Sequence, residues 1–218
     1  MDLPALPDGA RRFLAHAPGL KVGLLGGSFN PAHEGHVLAS LTALRRLGLD
    51  QVWWLVTPGN PLKDNRALPS LDARIVAAQR IARHPRIKVT GIEARLGTRF
   101  TASTLRALLA RHAGARFVWI MGSDNLAQFH RWRNWRSIAR MLPIAVIDRP
   151  GATHRAIRSV AGTALAPWRL HESDGLLLAM ERAPAWLFVH GRRSAASSTA
   201  LRREIAAKSA SGPVASVE

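Results

Sequence analysis

Two histidines separated by two residues follow the first apolar run of this 218-residue chain. They are His33 and His36, in the segment Gly26-Gly27-Ser28-Phe29-Asn30-Pro31-Ala32-His33-Glu34-Gly35-His36. Residues three positions apart on a helix share one side, so the two imidazoles can meet the same anion. Imidazoles also bind metal ions or bond to nearby main-chain groups. The pair alone therefore leaves anion binding, metal binding and local capping open.

The residues around this pair form a loop suited to a phosphate group. Gly26 and Gly27 come directly after the apolar run, and glycine lets the main chain approach a ligand closely because it has no Cβ. Asn30 and Pro31 predict the N-cap and the first residue of a helix, whose free N–H groups attract anions. We therefore expect a phosphate site at the start of that helix, with both histidines on its first turn.

Two later segments place polar side chains beside predicted turns or helix starts. Lys63 follows the turn Pro58-Gly59-Asn60-Pro61, where a lysine can neutralise a phosphate. Thr101 and Thr104 stand where another helix begins, and Thr101 is equally well explained as its N-cap. Neither segment by itself distinguishes ligand binding from local structure.

Gly122 and Asp124 follow a further apolar run and precede Trp132. The Asp124 carboxylate can accept hydrogen bonds from ribose hydroxyls, although capping of the next helix is an alternative. Trp132 can stack on an aromatic ligand, but a single tryptophan is more often part of a core. We assign the other tryptophans to the core, namely Trp53, Trp54, Trp119, Trp135, Trp168 and Trp186.

A second cluster of hydroxyl groups precedes the last predicted helix. Ser197, Ser198 and Thr199 begin it, and Arg202 lies one turn further on. Hydroxyl caps, free N–H groups and a guanidinium together make a second anion site.

The elements that position these residues alternate between short apolar runs and amphipathic stretches. That alternation predicts an α/β fold, with an open, mostly parallel sheet and helices on both faces. The carboxyl ends of parallel strands meet at one edge, so we expect the polar segments to converge there. The predicted strands are Lys21–Gly26, Val52–Thr57, Ile87–Ile92, Phe117–Met121, Ile144–Asp148 and Trp186–His190.

The predicted helices differ in clarity. The clearest apolar spacing runs from Leu105 to His112, and Leu201 and Ile205 repeat it near the end of the chain. Residues 151–185 have weak periodicity and several prolines, so we expect a helix with irregular connections there.

Length and composition bound the class of protein. A 47% apolar composition supports one domain, which we place at residues 21–208, between an extension at 1–20 and a tail at 209–218 that we expect to be disordered. No run approaches the roughly 20 apolar residues of a membrane span, and residues 1–20 lack the pattern of a signal peptide. Cysteine is absent, which excludes disulfides, thiolate catalysis and cysteine-ligated metals. We therefore expect a cytoplasmic protein.

The chain is strongly basic. Its 31 Lys and Arg against 14 Asp and Glu give a net charge of +17. Such a field attracts phosphates, nucleic acid or anionic membranes without choosing among them. Because the arginines are scattered, many of them are equally well explained as solvated helix faces.

Gly27–His36 resembles the His-x-Gly-His signature of the nucleotidyltransferase superfamily, which includes adenylyltransferases, cytidylyltransferases and class I tRNA synthetases. Asn30-Pro31 with His33 is similar to the version in nicotinate and nicotinamide mononucleotide adenylyltransferases. Pantetheine-phosphate adenylyltransferases usually carry Asp-Pro, with Thr in place of the first histidine. The resemblance favours the pyridine branch.

Later segments resemble the same family in the same order, so the resemblance covers residues 20–206. Residues 100–105 are similar to the motif Tyr-Thr-x-x-Thr-Leu, with Phe100 in place of the tyrosine. Leu71-Asp72-Ala73-Arg74 also resembles a family segment, but an ordinary helix start explains it equally well. The remaining matches are the loop Pro-x-x-Pro-x-Lys at 58–63, Gly-x-Asp-x-Leu followed by Trp at 122–132, and Ile-Ser-Ser-Thr-x-Ile-Arg at 196–202, with Ala196 and Leu201 replacing isoleucines.

The resemblance implies a Rossmann-like nucleotidyltransferase fold and transfer of AMP from ATP to nicotinate mononucleotide, with Mg²⁺ bound through the ATP phosphates and no metal held by the protein. It implies catalytic roles for His33, His36 and Arg202. It implies ATP contacts by Gly26, Gly27, Ser28, Phe29, His33, His36, Ser197, Ser198, Thr199 and Arg202. It implies mononucleotide contacts by Asn30, Lys63, Thr101, Thr104, Gly122, Asp124 and Trp132.

Two other functions stay open at this point. The nearer alternative is an adenylyltransferase for another acceptor, such as nicotinamide mononucleotide or a phosphopantetheine. The more distant one is a basic nucleic-acid-binding module, against which the dispersed basic residues argue. We expect no membrane or nucleic-acid partner. The resemblance is compatible with a monomer or a homo-oligomer.

Overall fold

Six parallel strands form the centre of this protein in a computed structural model, which describes residues 14, 17–59, 65–66, 68–98, 100–151, 153–191, 198 and 201–202. Within those residues the strand order is β3-β2-β1-β4-β5-β6, and every neighbouring pair is parallel. The strands are β1 Lys21–Gly27, β2 Gln51–Val56, β3 Ile87–Thr90, β4 Arg116–Gly122, β5 Ile144–Ile147 and β6 Trp186–Val189.

All six predicted strands are confirmed, with ends that differ by one or two residues. The largest difference is in β3, which ends at Thr90 because Gly91 already caps a short helix that begins at Ile92. The strand order reverses between β1 and β4, and open α/β sheets bind ligands in the crevice at such a point. The predicted fold class is confirmed.

Helices cover both faces of the sheet. Successive strand residues point to opposite faces, so Val22 and Leu24 of β1 belong to one buried cluster and Leu25 to the other. In the described part of the chain no helix is long and apolar enough to cross a membrane. The α-helices described are α1 Glu34–Arg46, α2 Leu71–Ile81, α3 Ile92–Arg95, α4 Thr101–Arg111, α5 Ser123–Leu126, α6 Trp135–Met141, α7 Thr153–Ile157 and α8 Val160–Leu165.

The start of α1 differs from the prediction. Asn30 is not its N-cap and Pro31 is not its first residue; the helix begins at Glu34, and His33 is the N-cap. The capping role predicted for Asn30 belongs to His33, whose imidazole accepts a hydrogen bond from Gly35 N–H. The residues between β1 and α1 therefore form a longer loop than predicted.

The start of α4 also differs from one of the two interpretations. Phe100 is the N-cap and Thr101 is the first helical residue, so Thr101 is not an N-cap. The apolar spacing predicted for this helix is confirmed, because Leu105 and Leu108 are fully buried and His112 is its C-cap.

The segment between β5 and β6 contains more regular structure than one helix. It consists of α7, α8 and two 3₁₀-helices, Ala166–Trp168 and Glu172–Met180. Trp168 was predicted in the core, and this is wrong: its side chain is 45% exposed, because the short 3₁₀-helix that carries it buries none of its residues. The other tryptophans assigned to the core are buried, namely Trp53, Trp54, Trp119, Trp135 and Trp186.

Candidate active site

His33 and His36 stand side by side at the carboxyl end of β1. Their ring centroids are 3.9 Å apart. Nδ1 of His33 accepts a hydrogen bond from Gly35 N–H at 3.1 Å, and Nδ1 of His36 accepts one from His33 N–H at 3.3 Å. A neutral imidazole that accepts at Nδ1 carries its proton on Nε2. The main chain thus selects the tautomer, and each ring offers an Nε2–H donor.

The histidines are neutral at pH 7. Burial lowers the pKa of His33 to about 4, and the positive charge of Arg149 lowers it as well. Burial lowers the pKa of His36 to about 3, with further contributions from His33 and Arg149. The two neutral imidazoles can therefore donate hydrogen bonds to an anion. The positive charge near them belongs to Arg149.

Phe29 supports the histidines from beneath. Its ring stacks on Trp54 with centroids 4.9 Å apart and lies 4.7 Å from the ring of His36. The side chain is only 1% exposed, and the residue has a positive φ of 47°. Trp54 is in turn anchored by its indole N–H, which donates to Ser40 Oγ of α1 at 2.8 Å. The Phe29 side chain therefore lies in the core against His36 and Trp54, and not in the crevice.

Gly26 is required by the core beneath the loop. A Cβ at this position would lie 2.7 Å from the Trp119 ring, closer than any relaxed contact allows. Because glycine has no side chain, the Trp119 ring can pack directly against the main chain of Gly26, which lines the crevice.

Ser198 and Arg202 contact the loop that follows β1. Ser198 Oγ donates to the Pro31 carbonyl at 3.0 Å, and Arg202 Nη1 donates to the Asn30 carbonyl at 2.6 Å. Ser198, Leu201 and Arg202 have helical backbone. Two segments about 170 residues apart are thus joined, as the prediction of two anion sites on one ligand requires. Their predicted partners Ser197 and Thr199, and also Lys63, lie outside the described residues.

A crevice opens between the loop after β1 and the carboxyl ends of β4 and β5. Arg149 crosses it: its Nη1 lies 3.5 Å from Asp124 Oδ2, and its main-chain N–H donates to Ser123 Oγ at 3.0 Å. A Cβ on Gly122 would collide with the Asp124 carboxylate. The lining residues are Leu25, Gly26, Gly35, His36, Leu38, Ala39, Gly122, Asn125, Ile147, Asp148 and Arg149.

Sequence reasoning missed the three polar residues Asn125, Asp148 and Arg149 of this crevice. Asp148 is buried and accepts a hydrogen bond from Thr153 Oγ1 at 2.6 Å. Asp148 and Arg149 come directly after β5, in the same way that Gly122 ends β4 and Asp124 comes soon after it. That position at the carboxyl end of a predicted parallel strand was the available signal.

The residues predicted to bind a mononucleotide are divided between two places: Gly122 lines the crevice, whereas Trp132 packs against the buried cluster on the opposite face of the sheet. Trp132 is partly buried and stands nearly perpendicular to Trp119 and to Phe129, with centroid distances of 6.2 and 5.4 Å. The Arg133 guanidinium carbon lies 4.6 Å from the centroid of the Phe100 ring, a cation–π contact. The Phe100 side chain therefore packs against a cation at the start of α4.

Thr104, unlike Thr101, is fully buried. Its hydroxyl donates to Glu93 Oε1 at 3.1 Å and lies 2.9 Å from Thr98 Oγ1. Burial raises the pKa of Glu93, while hydrogen bonds with Thr57 and Thr104 lower it. The Thr104 side chain thus lies beneath the candidate site, where it joins Glu93, a residue that the sequence motifs did not single out.

The sheet order and the histidine loop at the β1–β4 crevice define the class of protein, a nucleotidyltransferase-like α/β protein. Residues 24–204 match the cytidylyltransferase-like family. A nicotinic acid mononucleotide adenylyltransferase of Plasmodium falciparum, solved in complex with APC, has the same fold, with a TM-score of 0.61 and 14% identity over 84% of this chain and 83% of that one.

Two bacterial relatives are much more similar in sequence. A probable nicotinate-nucleotide adenylyltransferase of Rhizobium meliloti (strain 1021) is 57% identical over 183 residues, which cover 84% of this chain and 97% of that protein. One from Methylorubrum extorquens (strain PA1) is 56% identical over 84% of this chain and 99% of that protein. The chain belongs to the nicotinate-nucleotide adenylyltransferase family.

Proposed function

We propose that this protein transfers the AMP moiety of ATP to nicotinate mononucleotide, giving nicotinate adenine dinucleotide and pyrophosphate. The observation that carries the proposal is the pair of neutral, oriented histidines at the β1–β4 crevice, with Arg149 and Arg202 beside them. The family to which the chain belongs supports the choice of acceptor. The reaction would take place in the cytoplasm as a step of NAD biosynthesis, with neither membrane nor nucleic acid as a partner.

The reaction requires no protein nucleophile. An oxygen of the mononucleotide phosphate forms a bond with the α-phosphorus of ATP, and the bond from that phosphorus to the bridging oxygen breaks, so pyrophosphate leaves with the electron pair. A phosphate monoester has a second pKa of about 6 and is largely dianionic at pH 7, so a general base is not needed either. Catalysis then consists of positioning two anions and stabilising the charge on the transferring group.

The nucleotide half of the site would supply that stabilisation. Nε2–H of His33 and of His36 would donate to the phosphate oxygens of ATP, and Arg149 and Arg202 would supply positive charge. To reach a phosphate, Arg202 would exchange its hydrogen bond to the Asn30 carbonyl for one to the ligand. Ser198 stands on the same side and would add a hydroxyl donor.

The mononucleotide half would bind the pyridine ring and its ribose phosphate. Trp132 would stack on the ring, and Asp124 would accept hydrogen bonds from ribose hydroxyls. Thr101 would contribute at the start of α4, and Lys63 would neutralise the acceptor phosphate. The buried position of Thr104 gives it an indirect role, through Glu93.

Magnesium fits this site as a companion of ATP. No group of three or more His, Asp or Glu side chains that could hold a metal ion exists among the described residues. At the crevice, Asp148 is bonded by Thr153 and Asp124 is paired with Arg149. Mg²⁺ usually keeps its waters and is held by substrate phosphates with one or two carboxylates, so Asp148, which lines the crevice, is the residue that would approach it. When bound, it would neutralise charge on the phosphates.

The test is pyrophosphate release from ATP and Mg²⁺ with each acceptor in turn: nicotinate mononucleotide, nicotinamide mononucleotide and phosphopantetheine. We expect the highest kcat/KM with nicotinate mononucleotide. A higher kcat/KM with another acceptor would replace the substrate assignment. Absence of release with every acceptor, together with binding of mixed oligonucleotides at about 0.15 M salt, would overturn the proposal in favour of a nucleic-acid-binding protein.

A further inference from the structure

Arg74 of α2 is a buried cation, only 3% exposed, whose guanidinium is surrounded by main-chain carbonyl oxygens. Its Nη1 donates to the carbonyls of Ser28 and Thr57, both at 2.8 Å. Its Nη2 donates to the Pro58 carbonyl at 3.1 Å, and its Nε donates to the Pro69 carbonyl at 3.0 Å. One side chain thus contacts four points of the main chain, and none of these four bonds goes to a carboxylate.

These carbonyls belong to the two loops that leave the central strands. Ser28 lies in the nucleotide loop that follows β1, and Thr57 and Pro58 begin the loop that follows β2 and leads toward Lys63. The two strands are paired to their ends, and the last link is Thr57 N–H, which donates to the Gly27 carbonyl at 3.0 Å. Beyond the ends of the strands, the guanidinium of Arg74 joins the two loops by hydrogen bonds to both.

A buried charge is costly unless it is fully hydrogen-bonded, so this arrangement needs a reason. Burial lowers the pKa of Arg74 from its ordinary value, yet a guanidinium remains protonated in proteins. Its planar fork can bond several acceptors in different directions at once, which a lysine ammonium cannot do with the same geometry. The chemistry of the residue therefore matches the task of holding separate loops in one arrangement.

The turn after β2 is also held from its other side. Thr57 Oγ1 donates to the Gly59 carbonyl at 3.0 Å, and the Thr57 side chain lies close enough to the buried Glu93 carboxyl to lower its pKa. Glu93 accepts from Thr104 of α4, the helix that begins the segment predicted to bind the mononucleotide. Arg74 thus bonds the loops after β1 and β2, and Glu93, which lies beside Thr57, bonds α4.

We propose that Arg74 is a positioning residue for adenylyl transfer. It fixes the start of the loop after β2, at Thr57 and Pro58, and with it the acceptor side of the site, relative to the nucleotide loop that follows β1. Each substrate binds mainly to its own loop, but the transition state requires the acceptor phosphate and the α-phosphorus to be in line. The inference rests on the proposed function, because it concerns the alignment of those two substrates.

The experiment is steady-state kinetics of Arg74→Lys with ATP and nicotinate mononucleotide, each varied at saturation of the other. We expect kcat to fall about 100-fold while each KM stays within about threefold of wild type, since misalignment by about 1 Å costs that much in rate. Thermal shifts caused by either substrate alone should match those of the wild-type protein. Arg74→Gln, measured in parallel, is expected to give the same split and replaces Arg74→Lys if the latter does not fold.

Two controls separate positioning from general stability. Arg80 is an exposed residue of the same helix, so Arg80→Lys should leave kcat and both KM values unchanged. Ile138→Val, in the core of α6, should lower the Tm without lowering kcat per folded molecule. An Arg74 variant that keeps kcat within about twofold of wild type would overturn the inference, because alignment would then not depend on the guanidinium. Lack of turnover by the wild-type protein itself would overturn the proposed function instead.

Discussion

The two halves of the candidate site are built in different ways. In the nucleotide half, His33 and His36 are oriented by main-chain groups within three residues of themselves. In the mononucleotide half, the turn after β2 and the start of α4 are held by Arg74 and Glu93, which come from other elements. The comparison shows that main-chain groups within a short motif can orient its own side chains. Where a site is made of separate loops, buried polar residues between the loops hold them in position.

The largest effect should come from the nucleotide half. His36→Ala removes one preformed donor to the transferring phosphate, so we expect kcat/KM to fall about 10³-fold with a normal far-UV circular dichroism spectrum. His84→Ala is the matched control: this histidine lies after α2, and its imidazole accepts a hydrogen bond from the nearby Arg86 N–H, away from the site, so activity should not change. Near-wild-type activity of His36→Ala would contradict the role assigned to the pair.

A smaller and more selective effect should come from the mononucleotide half. Trp132→Ala should raise the KM for nicotinate mononucleotide about tenfold or more and leave the KM for ATP unchanged, because stacking on an aromatic side chain contributes about 1–3 kcal/mol. Trp132→Phe should restore most of the affinity. Trp168→Ala, which removes an exposed tryptophan remote in sequence, serves as the control. A rise in the KM for ATP alone would show that the two halves are wrongly divided.

The smallest effect concerns stability rather than turnover. The pKa values of His33 and His36, about 4 and 3, lie below the ordinary 6.5, so the unfolded chain binds their protons more readily. Their contribution is therefore fully present above pH 6.5 and is lost as the pH falls toward 4 and 3. Each histidine should add a slope of at most about 1.4 kcal/mol per pH unit to the free energy of unfolding in that range.

Urea denaturation at pH 7, 6, 5 and 4 measures this slope, and His36→Asn provides the comparison. The variant keeps the other histidines of the chain, so the difference between the two proteins isolates His36. We expect the wild-type protein to lose more stability than the variant between pH 6 and pH 4. If the free energy of unfolding changed equally with pH in both proteins, His36 would not be buried in its neutral form. The two histidines would then be protonated and solvated in the same pH range as free histidine.

Strand positions were predictable because buried parallel strands are short, apolar and bounded by turn residues. All six were found from such runs, and their βα alternation predicted the sheet. The start of α1 was not predictable in the same way: Asn30-Pro31 is a strong local signal for a helix N-terminus, yet the helix begins at Glu34 because the His33 imidazole caps it. The assignment of Trp168 to the core was wrong for a related reason, since composition does not show which face of a short 3₁₀-helix meets solvent.

The sequence by itself determined the sheet, the histidine loop and the family resemblance, because each depends on residue types at short spacing. Only the tertiary structure decided that Arg149 enters the crevice, that Phe29 and Thr104 lie beneath the site, and that Arg74 joins the loops after β1 and β2. The contacts of Arg74 with Ser28, Thr57 and Pro58 join residues 46, 17 and 16 positions apart, and they use main-chain carbonyls, which every residue carries. No pattern of side chains along a sequence can identify such acceptors before the chain has folded around them.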